Sequence, residues 1–384
     1  MPEMGSICMR ARRNGSSFPD TTRQEERVHF LMVTGGLSGN FTASTAGTTD
    51  EREDQMTTPS PKVNRLARWL AAAATIGMFV VLIMGATVTN TGSQAGCGKS
   101  WPLCNGKFVP SMAVSTMIEF SHRFVTSIET VLILSFAAVA LYGWRQRKEV
   151  KILVPVMVFM LFLQAGLGAW AVMRPQSPEA LASHFGVSLT AFASVLLTAA
   201  FIFEQRGYER IRQVAVPTSY KRFAYGVIAY IYLLVYLGAY VRHSNASMAC
   251  LDWPLCNGKV YPGFSGAVGV AFAHRLAALA GAFLIAGLLY WSARLRDSRP
   301  DLFWASVASL VLVLLQSLSG ALVVWSRLDV FSTLSHAGLV TLLFGSLSYI
   351  CYHVLPLPRR GEVAEEASVQ PRVGPMPVGA PVDR

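Results

Sequence analysis

Eight apolar runs, each long enough to cross about 30 Å of hydrocarbon at 1.5 Å per helical residue, leave this chain few folds to adopt. They fall at 66–90, 112–142, 152–173, 180–204, 220–242, 265–293, 302–324 and 330–355. Backbone N–H and C=O groups find no water inside a bilayer, so runs of this length cross it as helices. Composition agrees. Hydrophobic residues make up 52% of the chain and charged residues 14%, against about 25% charged in soluble domains. The expected class is an all-α membrane protein of eight transmembrane helices.

The net charge of +11 would suit a nucleic-acid partner, but the cations cluster in short loops, so none is expected. One set of loops holds Lys62, Arg65 and Arg68; Arg145, Arg147, Lys148 and Lys151; Arg206, Arg210, Arg212, Lys221 and Arg222; Arg294, Arg296 and Arg299; and Arg359 and Arg360. The alternating loops carry only Lys99 and Lys107, Arg174, Arg242 and Lys259, and Arg327. The positive-inside rule then expects a multi-pass protein of the cell membrane with both termini cytoplasmic. Residues 1–60 are rich in Ser, Thr, Gly and charge and lack the apolar core of a signal peptide. They read as a disordered tail, or as sequence upstream of a start at Met56. Residues 357–384 read as a second disordered tail.

Trp101-Pro102-Leu103-Cys104-Asn105-Gly106-Lys107 recurs as Trp253-Pro254-Leu255-Cys256-Asn257-Gly258-Lys259, 152 residues on. The same offset relates His122-Arg123 to His274-Arg275, Gln164 to Gln316, and Ser183-His184 to Ser335-His336. The first four helices are therefore duplicated as the last four. Four is even, so both copies share one topology, which expects two tandem four-helix bundles related by a pseudo-two-fold along the membrane normal. The expected halves are 61–215 and 216–356.

His122, His184, His274 and His336 sit early in even-numbered helices, roughly 9–16 Å along them. All four are expected in the outer half of the bilayer, one pair per half. A histidine at such depth faces a bundle interior. A haem iron held by an imidazole from each of two helices accounts for paired histidines duplicated at one spacing. Interhelical hydrogen bonding by His is the alternative. Zinc or copper fits less well, because no further ligand repeats alongside. Arg123 and Arg275 suit haem propionates or snorkelling to the interface. His243 and His353 fall outside the repeat and read as incidental, and His29 lies in the tail.

The halves differ where chemistry would need it. Glu119, one turn before His122, becomes Ala271; Glu129, on nearly the same face, becomes Gly281. A buried carboxylate beside a haem can move protons or balance a cationic centre. An ion pair with Arg123 is the other reading of Glu119, and Glu129 carries less weight. Cys97 with Cys104 and Cys250 with Cys256 form close pairs in outer loops, where disulfides persist. Each pair reads as a disulfide, with a transient redox pair or metal capture as alternatives, and the spacing fits a structural bridge and a cycling one alike. Cys8 and Cys351 stand apart.

These residues together resemble the haem A synthase family. The resemblance rests on Glu119-Phe120-Ser121-His122-Arg123, Ser183-His184, Cys250 with Asp252-Trp253-Pro254-Leu255-Cys256, His274-Arg275 and Ser335-His336, and covers about residues 66–355. It implies an oxidoreductase that converts the C8 methyl of haem O to a formyl group, giving haem A for cytochrome oxidase. It implies substrate haem O at His122 and His184, a haem b cofactor on His274 and His336, and Glu119 as the essential glutamate. It implies outer-loop cysteines at Cys97, Cys104, Cys250 and Cys256. The first loop lacks the acidic residue of the second, and Asn90 lies where the second half has Arg242-His243. The implied partners are haem O and its synthase, membrane lipid, and an electron donor or acceptor; a homo-oligomer is compatible. Two rivals remain: a di-haem b-type electron-transfer protein without its own chemistry, and a haem transporter or chaperone.

Overall fold

The computed structural model describes residues 59–108, 110–174, 178–204 and 214–355. Of the two tails expected to be disordered, residues 1–58 and 357–384, with Cys8, His29, Met56, Arg359 and Arg360, lie outside the described residues, as do Arg206, Arg210 and Arg212, whereas Ser60 caps the first helix.

The described chain is helical and builds eight helices long and apolar enough to cross a membrane. They are α1 (Pro61–Asn90), α2 (Val114–Trp144), α3 (Lys148–Met173), α4 (Pro178–Glu204), α5 (Thr218–His243), α6 (Gly266–Ala293), α7 (Pro300–Trp325) and α8 (Val330–Val354). The apolar runs locate every helix, but several helices begin a turn earlier in polar sequence. In α1 the Ser60 hydroxyl accepts from Val63 N at 3.4 Å and Pro61 opens the first turn. That carries Lys62 and Arg65 into the helix, since proline at this place forfeits no intrahelical bond. In α8 the Asp329 carboxylate caps Phe331 N and Ser332 N at 2.9 and 3.4 Å.

Burial repeats with the sequence. The buried residues of α1 are Ala67, Ala71, Ala74, Met78, Leu82 and Val88. Those of α5 are Tyr220, Ala224, Val227, Ile231, Val235 and Val241, the same six places 153 residues on. In the later helices the offset is 152, as for Ile133 and Ile285 or Phe136 and Leu288. The change of one falls in the cysteine loop, where six residues separate Cys97 from Cys104 and five separate Cys250 from Cys256.

Helices α4 and α8 are the most buried. They meet each other, and α4 packs on α5 as α8 packs on α1. These reciprocal contacts fit a pseudo-two-fold between two four-helix units. A small third cluster of Leu189, Ala193, Val235 and Phe344 fills the seam.

Candidate functional site

The duplicated histidines converge on one cavity of about 830 Å³, lined from both halves. His122 comes from α2, His184 from α4, His274 from α6 and His336 from α8. Each sits six or eight residues from the start of its helix, at the end of the bundle that carries the cysteine loops. The helix period makes this a depth of about 9–12 Å.

A glycine on the preceding helix faces each imidazole. A Cβ placed on Gly85 would lie 3.3 Å from His122 Cε1, on Gly168 3.4 Å from His184 Cε1, on Gly238 2.8 Å from His274 Cε1, and on Gly320 3.2 Å from His336 Cε1. An added methyl would press on the ring at Gly85, Gly238 and Gly320 and just touch it at Gly168, so the helix surfaces are hollowed where the rings lie.

The imidazoles differ in their partners. His122 Nδ1 and His274 Nδ1 are buried without a hydrogen bond. Gln164 Nε2 lies 3.1 and 3.2 Å from the two ring nitrogens of His184 and also donates to Ser188. The equivalent Gln316 Nε2 lies 3.1 Å from His336 Nε2. Ser319 adds a hydroxyl 2.9 Å from His336 Nδ1, which orients that ring; its first-half counterpart is Leu167, which has no hydroxyl. The site therefore offers four buried ring nitrogen pairs around one largely apolar space. That suits a flat hydrophobic ligand with a metal at its centre, and haem has this character.

Each cysteine loop contributes to the cavity wall, Trp101 and Pro102 from the first and Trp253 from the second. Cys97 is bonded to Cys104 and Cys250 to Cys256. Both loops contain a cis Trp-Pro bond, Trp101-Pro102 and Trp253-Pro254. Both turn on Asn-Gly, with φ of 52° and 72° at Asn105 and Gly106 and 55° and 74° at Asn257 and Gly258. Two consecutive positive φ angles need such a pair. In the first loop Ser100 Oγ accepts from Asn105 N at 2.7 Å. In the second the equivalent Asp252 accepts from Asn257 N at 2.5 Å and Gly258 N at 2.8 Å. The serine thus does the holding that the missing acidic residue does in the other loop. The Gly258 N–H, joined by that of Asn257, keeps the Asp252 carboxyl below the usual aspartate range.

Arg123 and Arg275 line the cavity and tie these loops down. Arg123 Nη1 donates to Ser100 O at 2.8 Å and Leu103 O at 3.3 Å. Arg275 donates to Asp252 O at 2.7 Å, Leu255 O at 2.5 Å and Cys250 O at 3.1 Å. Loop anchoring is a role for this pair that sequence reasoning did not supply.

Glu119 is 3% exposed and lines the cavity. Its Oε2 accepts from Cys97 N at 2.8 Å and its Oε1 from Arg123 Nη2 at 2.5 Å. Ala271, at the same place in the second half, packs on Cys250 and Cys256 instead. Glu129, 4% exposed, also lines the cavity. It lies against Gly77 of α1, and its Oε1 accepts no hydrogen bond. The second half exchanges these sizes: Tyr230 of α5 packs near Gly281 of α6 and donates to Ala277 O at 2.9 Å.

Two residues missed by the repeat argument sit at the seam. Arg242 donates to Asn90 Oδ1 through Nε at 3.1 Å and Nη2 at 3.0 Å, joining the ends of α1 and α5. His243 lines the same cavity, whereas His353 lies at the opposite end of the bundle. The facing glycines were visible as repeat-related pairs, Gly85 with Gly238 and Gly168 with Gly320. The signal lies in aligning α1 with α5 at 153 rather than 152.

Residues 67–348 match the family COX15-CtaA, described as cytochrome oxidase assembly protein. The chain is similar to a haem A synthase of Bacillus licheniformis, 41% identical over 304 residues, 77% of this chain and 98% of the relative. It is similar to one of Symbiobacterium thermophilum, 40% identical over 301 residues, covering 76% and 96%. One of Geobacillus kaustophilus is 39% identical over 292 residues, covering 75% and 91%. The matched span runs from the first helix to the last and contains the cavity, its histidines and both cysteine loops, so this chain belongs to the COX15-CtaA family.

Proposed function

We propose that this protein is a haem A synthase, oxidising the C8 methyl of haem O to a formyl group to give haem A for cytochrome oxidase. The observation that carries the reading is an asymmetric duplication. Two histidine pairs line one cavity, and only the first has carboxylates beside it. The names of relatives about 40% identical over most of their length support it. We take residues 61–215 as the substrate half and 216–356 as the cofactor half.

In this reading His122 and His184 hold substrate haem O, and His274 and His336 hold haem b. The facing glycines leave room for each imidazole, and Ser319 on His336 Nδ1 orients that ring. Haem b, when bound, supplies one-electron redox chemistry. Glu119 is fixed by Cys97 N and Arg123, so its carboxylate stands ready beside the substrate site. It accepts a proton as the methyl is oxidised. Arg123 and Arg275 place positive charge at the cavity mouths, suited to propionates as well as to the loops. The apolar walls exclude water. An electron donor or acceptor outside this chain completes the reaction. We place the protein in the cell membrane, both termini cytoplasmic and the disulfide loops outside.

A di-haem conduit across the membrane is the rival. Its haems would have to approach both faces, but both histidine pairs lie near the same end of the bundle. Extraction of pigment after co-expression with a source of haem O decides the matter. Wild type should yield haem A. Glu119→Gln, which still accepts from Cys97 N, should keep the low-spin spectrum while haem A falls by about 100-fold or more. Two bound haems with no haem A from wild type would leave electron transfer alone. Normal haem A from Glu119→Gln would reduce Glu119 to a loop anchor.

A further inference from the structure

The cavity contains a buried carboxyl group that the chemistry above does not use. Glu129 is 4% exposed, lines the cavity, and has a carboxyl oxygen that accepts no hydrogen bond. Leaving such a group unpaired costs about as much as losing a hydrogen bond outright, more when it is ionised. Seven residues separate it from His122 on nearly the same face of α2, about 10 Å further from the cysteine loop. Space for it exists only because α1 has Gly77 against it; the second half has Tyr230 there and Gly281 in place of the glutamate. The two halves therefore present different floors. The first is acidic; in the second the tyrosine hydroxyl is already satisfied by Ala277 O, and Tyr230 and Gly281 are not among the residues that line the cavity.

A ligand for the acidic floor must bring a hydrogen-bond donor, since the neighbouring Thr126 and Thr130 hydroxyls already donate to backbone carbonyls of α2. Haem b has no donor on its hydrocarbon edge. Haem O carries a hydroxyl there, at the base of its isoprenoid chain. We propose that Glu129 is a specificity-determining residue that pairs with this hydroxyl, so that the first half selects the hydroxyalkyl haem and the second, lacking the carboxylate, takes haem b. This rests on the assignment of His122 and His184 to the substrate haem. The residue binds substrate at a distance from the reacting methyl and acts on selection, with no part in the oxidation itself.

The test is haem binding by the purified full-length protein in detergent, read by the low-spin absorption band and by analysis of bound pigment. Haem O is compared with its deoxy analogue, in which hydrogen replaces the hydroxyl and the isoprenoid chain is kept. Wild type should prefer haem O by roughly 10-fold, the scale of one hydrogen bond to a charged or strongly polar group. Glu129→Ala should bind both alike, and Glu129→Gln should keep part of the preference. An intact second-site spectrum in each variant shows that the fold survives. A preference that persists in Glu129→Ala, or is missing from wild type, overturns the proposal. His122→Ala separates the two levels of the argument. If it binds haem O as wild type does, the substrate site itself is misassigned and this inference falls with it. If it loses haem O while Glu129→Ala keeps the preference, the site stands and only the role of Glu129 fails.

Discussion

A single methyl group measures how closely each imidazole is fitted to its helix neighbour. At Gly168 an added Cβ would stand 3.4 Å from His184, ordinary contact; at Gly238 it would stand 2.8 Å from His274, closer than carbon atoms pack. Gly168→Ala should therefore be tolerated. Gly238→Ala should displace the His274 ring, weaken haem binding in the second half by about 10–100-fold, and leave the first half loaded. Haem titration of the two purified variants, followed by visible absorption, checks this; equal occupancy in both would show that the ring does not depend on the glycine. The histidines were legible from the sequence because a costly residue repeated at a fixed interval. The facing glycines were harder to read, because a glycine in an apolar helix does not announce which neighbour it makes room for. Glu119 was legible as an asymmetry, and its bond to Cys97 N was not, since that bond depends on how the loop folds back over α2.

At the scale of the element, helices and loops were legible to different degrees. Apolar length alone located all eight helices, because a bilayer leaves no competing structure. Their starts moved outward where Ser60 or a leading proline opened a polar first turn, and α8, capped by Asp329, began where expected. The loops depended on side-chain bonds that no period reveals. Two loops with the same Asn-Gly turn are held by a serine in one half and an aspartate in the other, and only the second can titrate. The Asp252 carboxyl is held below its usual range by the Gly258 and Asn257 amides. Its contribution is complete above the ordinary aspartate range and is lost as pH falls through its lowered folded value. Acidification through and below that range should thus loosen the second loop and spare the first. Amide hydrogen exchange, corrected for intrinsic rates, should show Asn257 and Gly258 losing protection while Asn105 keeps it. Parallel loss at all three amides would mean that acid acts elsewhere.

At the scale of the whole molecule, the two halves are joined at both ends by different chemistry. Near the disulfide loops Arg242 reaches Asn90 across the seam. At the opposite end Arg299 and Asp301 of the second half meet Glu204 of the first through His353 and Tyr349. Arg299 pairs with Asp301 at 3.0 and 2.7 Å and also donates to His353 O at 3.1 Å. His353 Nε2 lies 3.1 Å from Glu204 Oε2, and Tyr349 donates to Glu204 Oε1 at 2.5 Å. The repeat concealed this cluster, because the first-half counterpart of His353 is Phe201, a buried apolar residue. The same comparison provides a control. Arg147, the counterpart of Arg299, stands 4.0 Å from Glu149 and is one-third exposed, whereas Arg299 and Asp301 are almost fully buried. Water screens the first pair and not the second, so their removal should differ in cost. Arg299→Ala leaves the buried Asp301 carboxylate with His353 Nδ1, 3.1 Å away, and without its guanidinium, and should destabilise the protein by about 3–5 kcal/mol, while Arg147→Ala, at a part-exposed site, should cost less. Thermal unfolding in detergent, monitored with haem bound, compares them directly. A similar fall for both would place the strength of the seam in the apolar packing of α4 and α8 rather than in this ion cluster.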